Sequence, residues 1–163
     1  YGGVRYSGDV FHAALRWEEG RRDTGPVRRL VEQNLHDRQD VRCVWTDSSL
    51  LRRAYDVDHC FPWSRWNNND LWNLLPTTTE ANARKGEKLP SAPLLQSSRE
   101  RMLQWWDDAF IGSEREAQFF TEAEAALPIV GEDRNLQALF EGVTQQRMRL
   151  KMNQQLGEWS GLA

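Results

Sequence analysis

The sequence predicts an α+β fold: a small strand–loop–strand–helix core flanked by α-helices, with most of the chain helical. Three observations lead to this prediction. Residues 55–59 form a short segment with the side-chain alternation of a β-strand, and an apolar segment at 71–75 predicts a returning strand. An asparagine-rich loop at 67–70 separates them. Long segments on both sides carry apolar residues three or four positions apart, which is the spacing of amphipathic helices.

The first forty residues are predicted to be a helical N-terminal part. Residues 10–17 are one helical candidate, and the sequence Thr-Gly-Pro at 24–26 opens a second one that runs to Leu35. We expect residues 41–93 to be the core and residues 94–163 to be a helical C-terminal part. Because the chain opens on Tyr1 rather than Met, we expect it to continue from a longer protein.

A separate residue pattern predicts each strand, turn and helix of the core. Residues 41–45 alternate and are rich in β-branched and aromatic types, which predicts a strand, and residues 47–49 predict a turn. On the strand at 55–59, Asp56 and Asp58 share one face and Val57 lies on the other. A short helix begins at 76–79 and ends at Gly86, a residue type that favours the C-terminal end of a helix.

Three further helices are predicted at 97–110, 114–127 and 134–159. From Asp107 to Glu141, acidic side chains outnumber basic ones. They are Asp107, Asp108, Glu114, Glu116, Glu122, Glu124, Glu132, Asp133 and Glu141. The helices either cover the core or offer a docking surface to a partner, and the pattern leaves both interpretations open.

Composition limits the function classes. The formal net charge of −3 argues against a generally basic surface, so we expect this chain to bind DNA weakly by itself. No apolar run approaches the length of a transmembrane helix, and no secretory signal opens the sequence. We therefore expect a cytoplasmic protein with no membrane partner.

The cysteines are too few for a disulfide framework. Cys43 and Cys60 are predicted to be buried, reduced thiols. His12, His36 and His59 are the only other soft ligands, so we do not expect a structural zinc site.

The segment richest in candidate catalytic and metal-binding residues begins with the sequence YDVDHCFPWS at 55–64. Asn73, Asn82 and the sequence Arg-Lys-Gly at 84–86 follow it. Hydrolysis of a phosphodiester with one bound cation needs a base, hard oxygen ligands and a residue that fixes the base. Residues 41–90 resemble the HNH (ββα-metal) endonuclease family, in the variant whose last histidine is asparagine. Within the family, the segment is similar to the HNH domains of CRISPR effectors and of bacterial defence and restriction enzymes.

The resemblance implies a role for each of four residues. His59 is expected to be the general base that takes a proton from the attacking water. Asp58 and Asn82 are expected to hold one metal ion, and their oxygen ligands suit Mg²⁺ or Mn²⁺. Asn73 is expected to bond to backbone across the loop and to orient His59. Adjacent strand residues point to opposite faces, so we expect a bend or bulge at this end of the strand.

Other polar residues near the motif have two interpretations. Asp56 either supports the metal site through a bound water or pairs with Arg52 or Arg53. The cations that follow the metal-binding asparagine either contact the phosphate backbone or form a solvated helix end. These cations are Arg84, Lys85 and Lys88.

Together these features predict a metal-dependent DNA endonuclease that leaves 5′-phosphate and 3′-hydroxyl ends, as the resemblance implies. RNA is the open alternative substrate. We expect a fused or bound targeting module of a larger effector to deliver this domain to DNA. Two rival interpretations stand: a catalytically inactive nucleic-acid-binding module, and a helical protein-interaction module that uses the strand–helix unit as a scaffold.

Overall fold

The structure is a computed structural model, and it describes residues 21–37, 39–129 and 134–162. The candidate helix at 10–17 lies outside the described residues. Six α-helices and four short strands are present in the described part. In chain order they are α1 (Gly25–His36), β1 (Tyr55–His59), β2 (Leu74–Thr78), α2 (Thr79–Lys85), β3 (Leu89–Pro90), α3 (Ala92–Ser97), α4 (Arg99–Phe110), α5 (Glu116–Ala126), α6 (Leu136–Gln154) and β4 (Glu158–Trp159).

The core of the fold is a two-stranded antiparallel sheet with α2 packed against it. β1 and β2 pair from Tyr55 opposite Thr78 to His59 opposite Leu74 without interruption. α2 follows β2 directly because the Thr78 side chain accepts a hydrogen bond from the Ala81 amide and so caps the helix. The helix ends where Gly86 adopts a positive φ of 51°.

The flanking helices share one hydrophobic core with this unit. α1 buries Val27 and Val31 and contacts both β1 and β2. From the C-terminal part, Arg101 donates from Nε to the Val44 carbonyl at 2.8 Å, and Glu122 accepts from the Leu71 amide at 2.7 Å. Because a single apolar cluster runs from α1 to β4, the C-terminal helices cover the core.

The last residues of the chain return to the core. β4 pairs in parallel with β3, which follows α2. Arg147 on α6 holds this pair: its Nε donates to the Pro90 carbonyl at 2.7 Å, and its guanidinium also pairs with Glu158. The ring of Trp159 lies edge-on to Trp45, with centroids 6.4 Å apart.

The predicted α+β class with a small strand–strand–helix core is confirmed. The strand at 55–59 is confirmed at both ends. Of the bend or bulge expected at its end, no bulge occurs within the strand, because the five residues pair in unbroken register. The strand predicted at 41–45 is wrong: this segment makes one isolated bridge, Arg42 to Ser49, around a turn. Its apolar side chains are buried by tertiary packing rather than by a ladder.

Three other boundaries differ from the prediction. Leu71–Asn73 is a turn of 3₁₀-helix, and β2 begins only at Leu74. The last helix ends at Gln154 rather than at residue 159, because Gln155 adopts left-handed backbone angles. α3 was not predicted: Ser91 caps it and Pro93 lies in its first turn.

Among the described helices, none combines the length and the apolar composition that a membrane crossing needs.

Replacing Thr78 by alanine should lower the free energy of unfolding by about 1 kcal/mol, because the Ala81 amide loses its capping acceptor. Thr78→Ser keeps the hydroxyl and should retain most of that stability. Urea unfolding followed by tryptophan fluorescence measures both variants. Equal stability of Thr78→Ala and the parent would contradict the capping role.

Candidate functional site

The carboxylate of Asp58 is enclosed in the protein. Asp58 is 2% exposed, and its Oδ2 accepts a hydrogen bond from Trp45 Nε1 at 2.8 Å. The ammonium group of Lys85, which is 0% exposed, lies 3.3 Å from Oδ1 and 3.2 Å from Oδ2. Lys85 Nζ also donates to the His59 carbonyl at 2.9 Å. The pair therefore joins α2 to the end of β1.

Asp56 lies two residues earlier on the same face of β1 and also contacts α2. Asn82 Nδ2 donates to Asp56 Oδ2 at 3.3 Å. Arg28 on α1 forms an ion pair with Asp56 Oδ1 at 3.2 Å, and its guanidinium lies 5.6 Å from the Tyr55 ring centroid. The partner of Asp56 is thus Arg28 and not Arg52 or Arg53, the two arginines that lie close to it in sequence.

The His59 ring has different neighbours from Asp58, as alternation along β1 requires. Its Nε2 lies 3.0 Å from Asn69 Oδ1, and the ring centroid of Trp63 is 5.6 Å away. His59 is 1% exposed, and its Nδ1 is buried without a hydrogen-bond partner among the described residues. A buried polar atom without a hydrogen-bond partner is unusual in a folded protein.

Burial lowers the pKa of His59 below its ordinary value of 6.5, because a buried imidazolium loses its hydration. The hydrogen bond with Asn69 and the charge of Asp58 act in the opposite direction, whereas the charges of Arg22 and Lys85 lower the pKa further. The imidazole is therefore neutral at pH 7, which is the form that accepts a proton.

Asn73 is wholly buried at the end of the 3₁₀ turn. Its Oδ1 accepts from the Phe61 amide at 3.0 Å, and its Nδ2 donates to the Asn68 carbonyl at 2.9 Å. Asn73 thus bonds to backbone across the loop and fixes the two residues that follow His59. It has no hydrogen bond to the His59 side chain in the described structure.

The three cations predicted to contact substrate have different surroundings. Arg84 and Lys88 are exposed, and Arg84 pairs with Glu80 one turn away at 3.3 Å. Lys85 is buried against Asp58, so in this arrangement it neither reaches a phosphate nor forms a solvated helix end.

Both cysteines are free and buried, as predicted. Burial raises the pKa of the Cys60 thiol to about 12, so this thiol, next to His59, remains protonated and unreactive.

The Asp56 and Asp58 carboxylates lie on the α2 face of β1, where Asn82 turns its amide nitrogen, and not its oxygen, towards Asp56. This donor chemistry fits Mg²⁺ or Mn²⁺. However, Arg28 and Lys85 already neutralise the two carboxylates, and no cluster of three His, Cys, Asp or Glu side chains is arranged for a metal in the described part of the chain. A cation would therefore have to replace one of these ion pairs.

Comparison with protein families gives one match. Residues 45–91 match the model of the HNH endonuclease family. This segment is an HNH-family domain. The matched residues run from Trp45 through β1, β2 and α2 to Ser91. They include His59, Asn73, Asn82 and the Asp58–Lys85 pair. No curated protein matches the chain. The match supports nuclease activity on nucleic acid, and the family is metal-dependent.

Three residues that contact the HNH motif were not predicted from the sequence: Trp45, Asn69 and Arg28. Trp45 and Asn69 bond to side chains 13 and 10 residues away, across a turn and a loop of irregular backbone. Arg28 comes from a helix outside the matched segment. The spacing of α2 does indicate the burial of Lys85, because Lys85 lies four residues after the apolar Ala81 and so on the same, buried face of the helix.

Removing one member of the buried ion pair should strongly destabilise the HNH domain. Lys85→Met leaves the Asp58 carboxylate buried with only the Trp45 donor, and the expected loss in unfolding free energy is about 3–5 kcal/mol. Asp58→Asn should also be destabilising, and the double variant should lose less than the sum of the two.

Chemical denaturation of the parent, the two single variants and the double variant measures the coupling energy between Asp58 and Lys85. Lys88→Met is the matched control, because Lys88 is exposed and lies three residues further along. If Lys85→Met were no less stable than Lys88→Met, the buried pair would not exist in solution.

Burial of His59 also predicts a pH dependence of stability. Since the folded state lowers its pKa below 6.5, the unfolded state binds the proton more readily. The free energy of unfolding should therefore be highest above pH 6.5 and fall as the pH decreases through the folded pKa. His59→Gln should lose this part of the slope.

Denaturation in chelator-containing buffer between pH 7.5 and 5.5 tests the sign. His36→Gln is the control, because the His36 side chain is 85% exposed. An identical slope for the parent and His59→Gln would show that His59 is not buried as a neutral ring.

Proposed function

We propose that this chain is a metal-dependent DNA endonuclease in which His59 is the general base. The observation that carries the proposal is the state of His59 inside an HNH-family segment. The ring is neutral because it is buried, one nitrogen is held by Asn69, and the other has no hydrogen-bond partner among the described residues. A positioned neutral imidazole of this kind is able to take a proton from water.

The chemistry that we propose is an in-line displacement at phosphorus. His59 takes one proton from a water molecule while the water oxygen bonds to phosphorus. The bond from phosphorus to the 3′ oxygen breaks, and the departing 3′ oxygen takes a proton from solvent water, which leaves a 5′-phosphate on one product and a 3′-hydroxyl on the other. Asn73 positions His59 indirectly, because it fixes the backbone at Phe61 through a buried hydrogen bond.

We propose that Asp58 and Asn82 hold one Mg²⁺ or Mn²⁺ ion, with Asp56 beside them. When bound, this ion would supply positive charge to the phosphate and to the leaving oxygen. The oxygen chemistry of these side chains supports the proposal, and so does their common position between β1 and α2. Binding requires that Lys85 release part of the Asp58 carboxylate, which it contacts at 3.2 and 3.3 Å.

Substrate has to reach a base that is 1% exposed. Cleavage therefore requires a rearrangement of the groups that cover His59. We propose that the exposed Arg84 and Lys88, which follow Asn82, contact the phosphate backbone, and that Lys85 joins them only if it leaves Asp58.

The net negative charge of the chain supports the proposal that another module brings it to DNA. A net charge of −3 gives little general attraction to DNA. We propose that a fused or bound targeting module of a CRISPR-type or restriction effector places this domain on its DNA substrate. RNA remains the second substrate to be tested.

One observation favours a different function, namely a catalytically inactive HNH module that binds nucleic acid or another protein. Lys85 and Trp45 already occupy both oxygens of the Asp58 carboxylate. If Lys85 never releases Asp58, the predicted metal site of Asp58 and Asn82 does not form.

Nicking of supercoiled plasmid distinguishes the two functions. The parent chain should nick DNA slowly with Mg²⁺ or Mn²⁺ and not at all with excess chelator. His59→Ala should reduce the rate by about 10²- to 10⁴-fold, which is the usual contribution of a positioned base. His36→Ala, at an exposed ring, should cut like the parent.

Equal rates for His59→Ala and the parent would disprove the mechanism. If neither protein nicked plasmid, oligonucleotide or RNA with either metal, the inactive module would be the better description.

A further inference from the structure

Asn69 is the residue on which this inference rests. It lies in the loop between β1 and the 3₁₀ turn and is part of the HNH segment. Its side chain bonds to the catalytic ring and also to backbone of the segment before α1. Asn69 Oδ1 accepts from the Asp23 amide at 3.1 Å, and Nδ2 donates to the Arg21 carbonyl at 2.7 Å.

These two backbone partners fix which way the amide of Asn69 points. An amide N–H can only donate, and a carbonyl can only accept. If the amide were turned over, its NH₂ would face the Asp23 N–H and its oxygen would face the Arg21 carbonyl. Both contacts would then be repulsive, so Oδ1 is the atom that faces His59.

The orientation of Asn69 in turn fixes the tautomer of His59. Its Nε2 lies 3.0 Å from an oxygen that has no proton to give, so the proton must be on Nε2. In a neutral imidazole the lone pair is then on Nδ1. That atom is the one that is buried without a partner among the described residues.

We propose that Asn69 is a positioning residue that keeps His59 in the Nε2–H tautomer, so that Nδ1 receives the proton of the attacking water. The proposal rests on the nuclease function above. In the step, one water O–H bond breaks, its proton bonds to Nδ1, and the oxygen bonds to phosphorus as the 3′ oxygen leaves. Because Arg21 and Asp23 hold Asn69, backbone outside the matched HNH segment sets the state of the base.

The loop contains a matched control. Asn67 is two residues before Asn69, is of the same type and is exposed. Asn67→Ala should behave like the parent. Asn69→Ala removes the oxygen that faces Nε2, whereas Asn69→Asp keeps an acceptor there but loses the donor to the Arg21 carbonyl.

Imidazole ¹⁵N chemical shifts report the tautomer directly and do not depend on activity. The chain has three histidines, so His12→Gln and His36→Gln assign the signals. The parent, Asn67→Ala and Asn69→Asp should show His59 with protonated Nε2 and unprotonated Nδ1. Asn69→Ala should show both tautomers. In plasmid nicking, Asn69→Ala should lower kcat about 10- to 100-fold with little change in KM, and Asn69→Asp should recover part of the loss.

Several results would overturn the proposal. They are a protonated Nδ1 in the parent, an unchanged tautomer in Asn69→Ala, or an altered tautomer with unchanged kcat. The parent spectrum is decisive by itself for the tautomer even if Asn69→Ala does not fold. If the spectra agree with expectation but no protein cleaves nucleic acid, the nuclease function fails and the tautomer assignment stands.

Discussion

The buried ion pair between Asp58 and Lys85 is the interaction on which the candidate site depends. Two charges removed from water are tolerated only when their hydrogen-bonding capacity is satisfied. Here Trp45 Nε1 and the His59 carbonyl complete the network. The consequence is geometric: α2 is fixed against the end of β1, which brings Asn82 to Asp56. The same pair restrains the metal chemistry, because any cation bound by Asp58 competes with an ammonium group already in place.

Alternation along β1 divides the chemistry of the site between two sides of the strand. Asp56 and Asp58 meet α2, whereas His59 meets the loop that carries Trp63 and Asn69. With no bulge in the β1–β2 ladder, the side chains of His59 and Asp58 can converge only beyond the strand end. Asn73 fixes the backbone at that point, since it binds the Phe61 amide. This explains why an asparagine with no hydrogen bond to the His59 side chain in the described structure still matters for the proposed chemistry.

The sequence predicted the fold class, the bounds of β1 and the end of α2 at Gly86, because local signals set each of these. It misplaced elements whose form depends on packing. Residues 41–45 look like a strand but are a turn, because their apolar side chains are buried by neighbours distant in sequence. The site residues were named from the motif, but their partners were not. Asn69 binds backbone 46 and 48 residues away, and Lys85 binds a carboxylate 27 residues away. Local secondary-structure propensity carries no information about contacts between residues so far apart in the sequence.

The HNH segment does not complete its own structure. Trp45, at its first residue, lies edge-on to Trp159, and β3, near its end, pairs with β4. Arg28 neutralises Asp56 from α1, and the backbone before α1 holds Asn69. A unit of about 47 residues, as matched, is near the size at which a single core is marginal without metals or disulfides. The flanking helices supply the missing burial, and the same contacts reach Asp56 and, through Asn69, the His59 ring. Stability and the state of the candidate site are therefore set by the same neighbours, so a change in the flanking parts alters both.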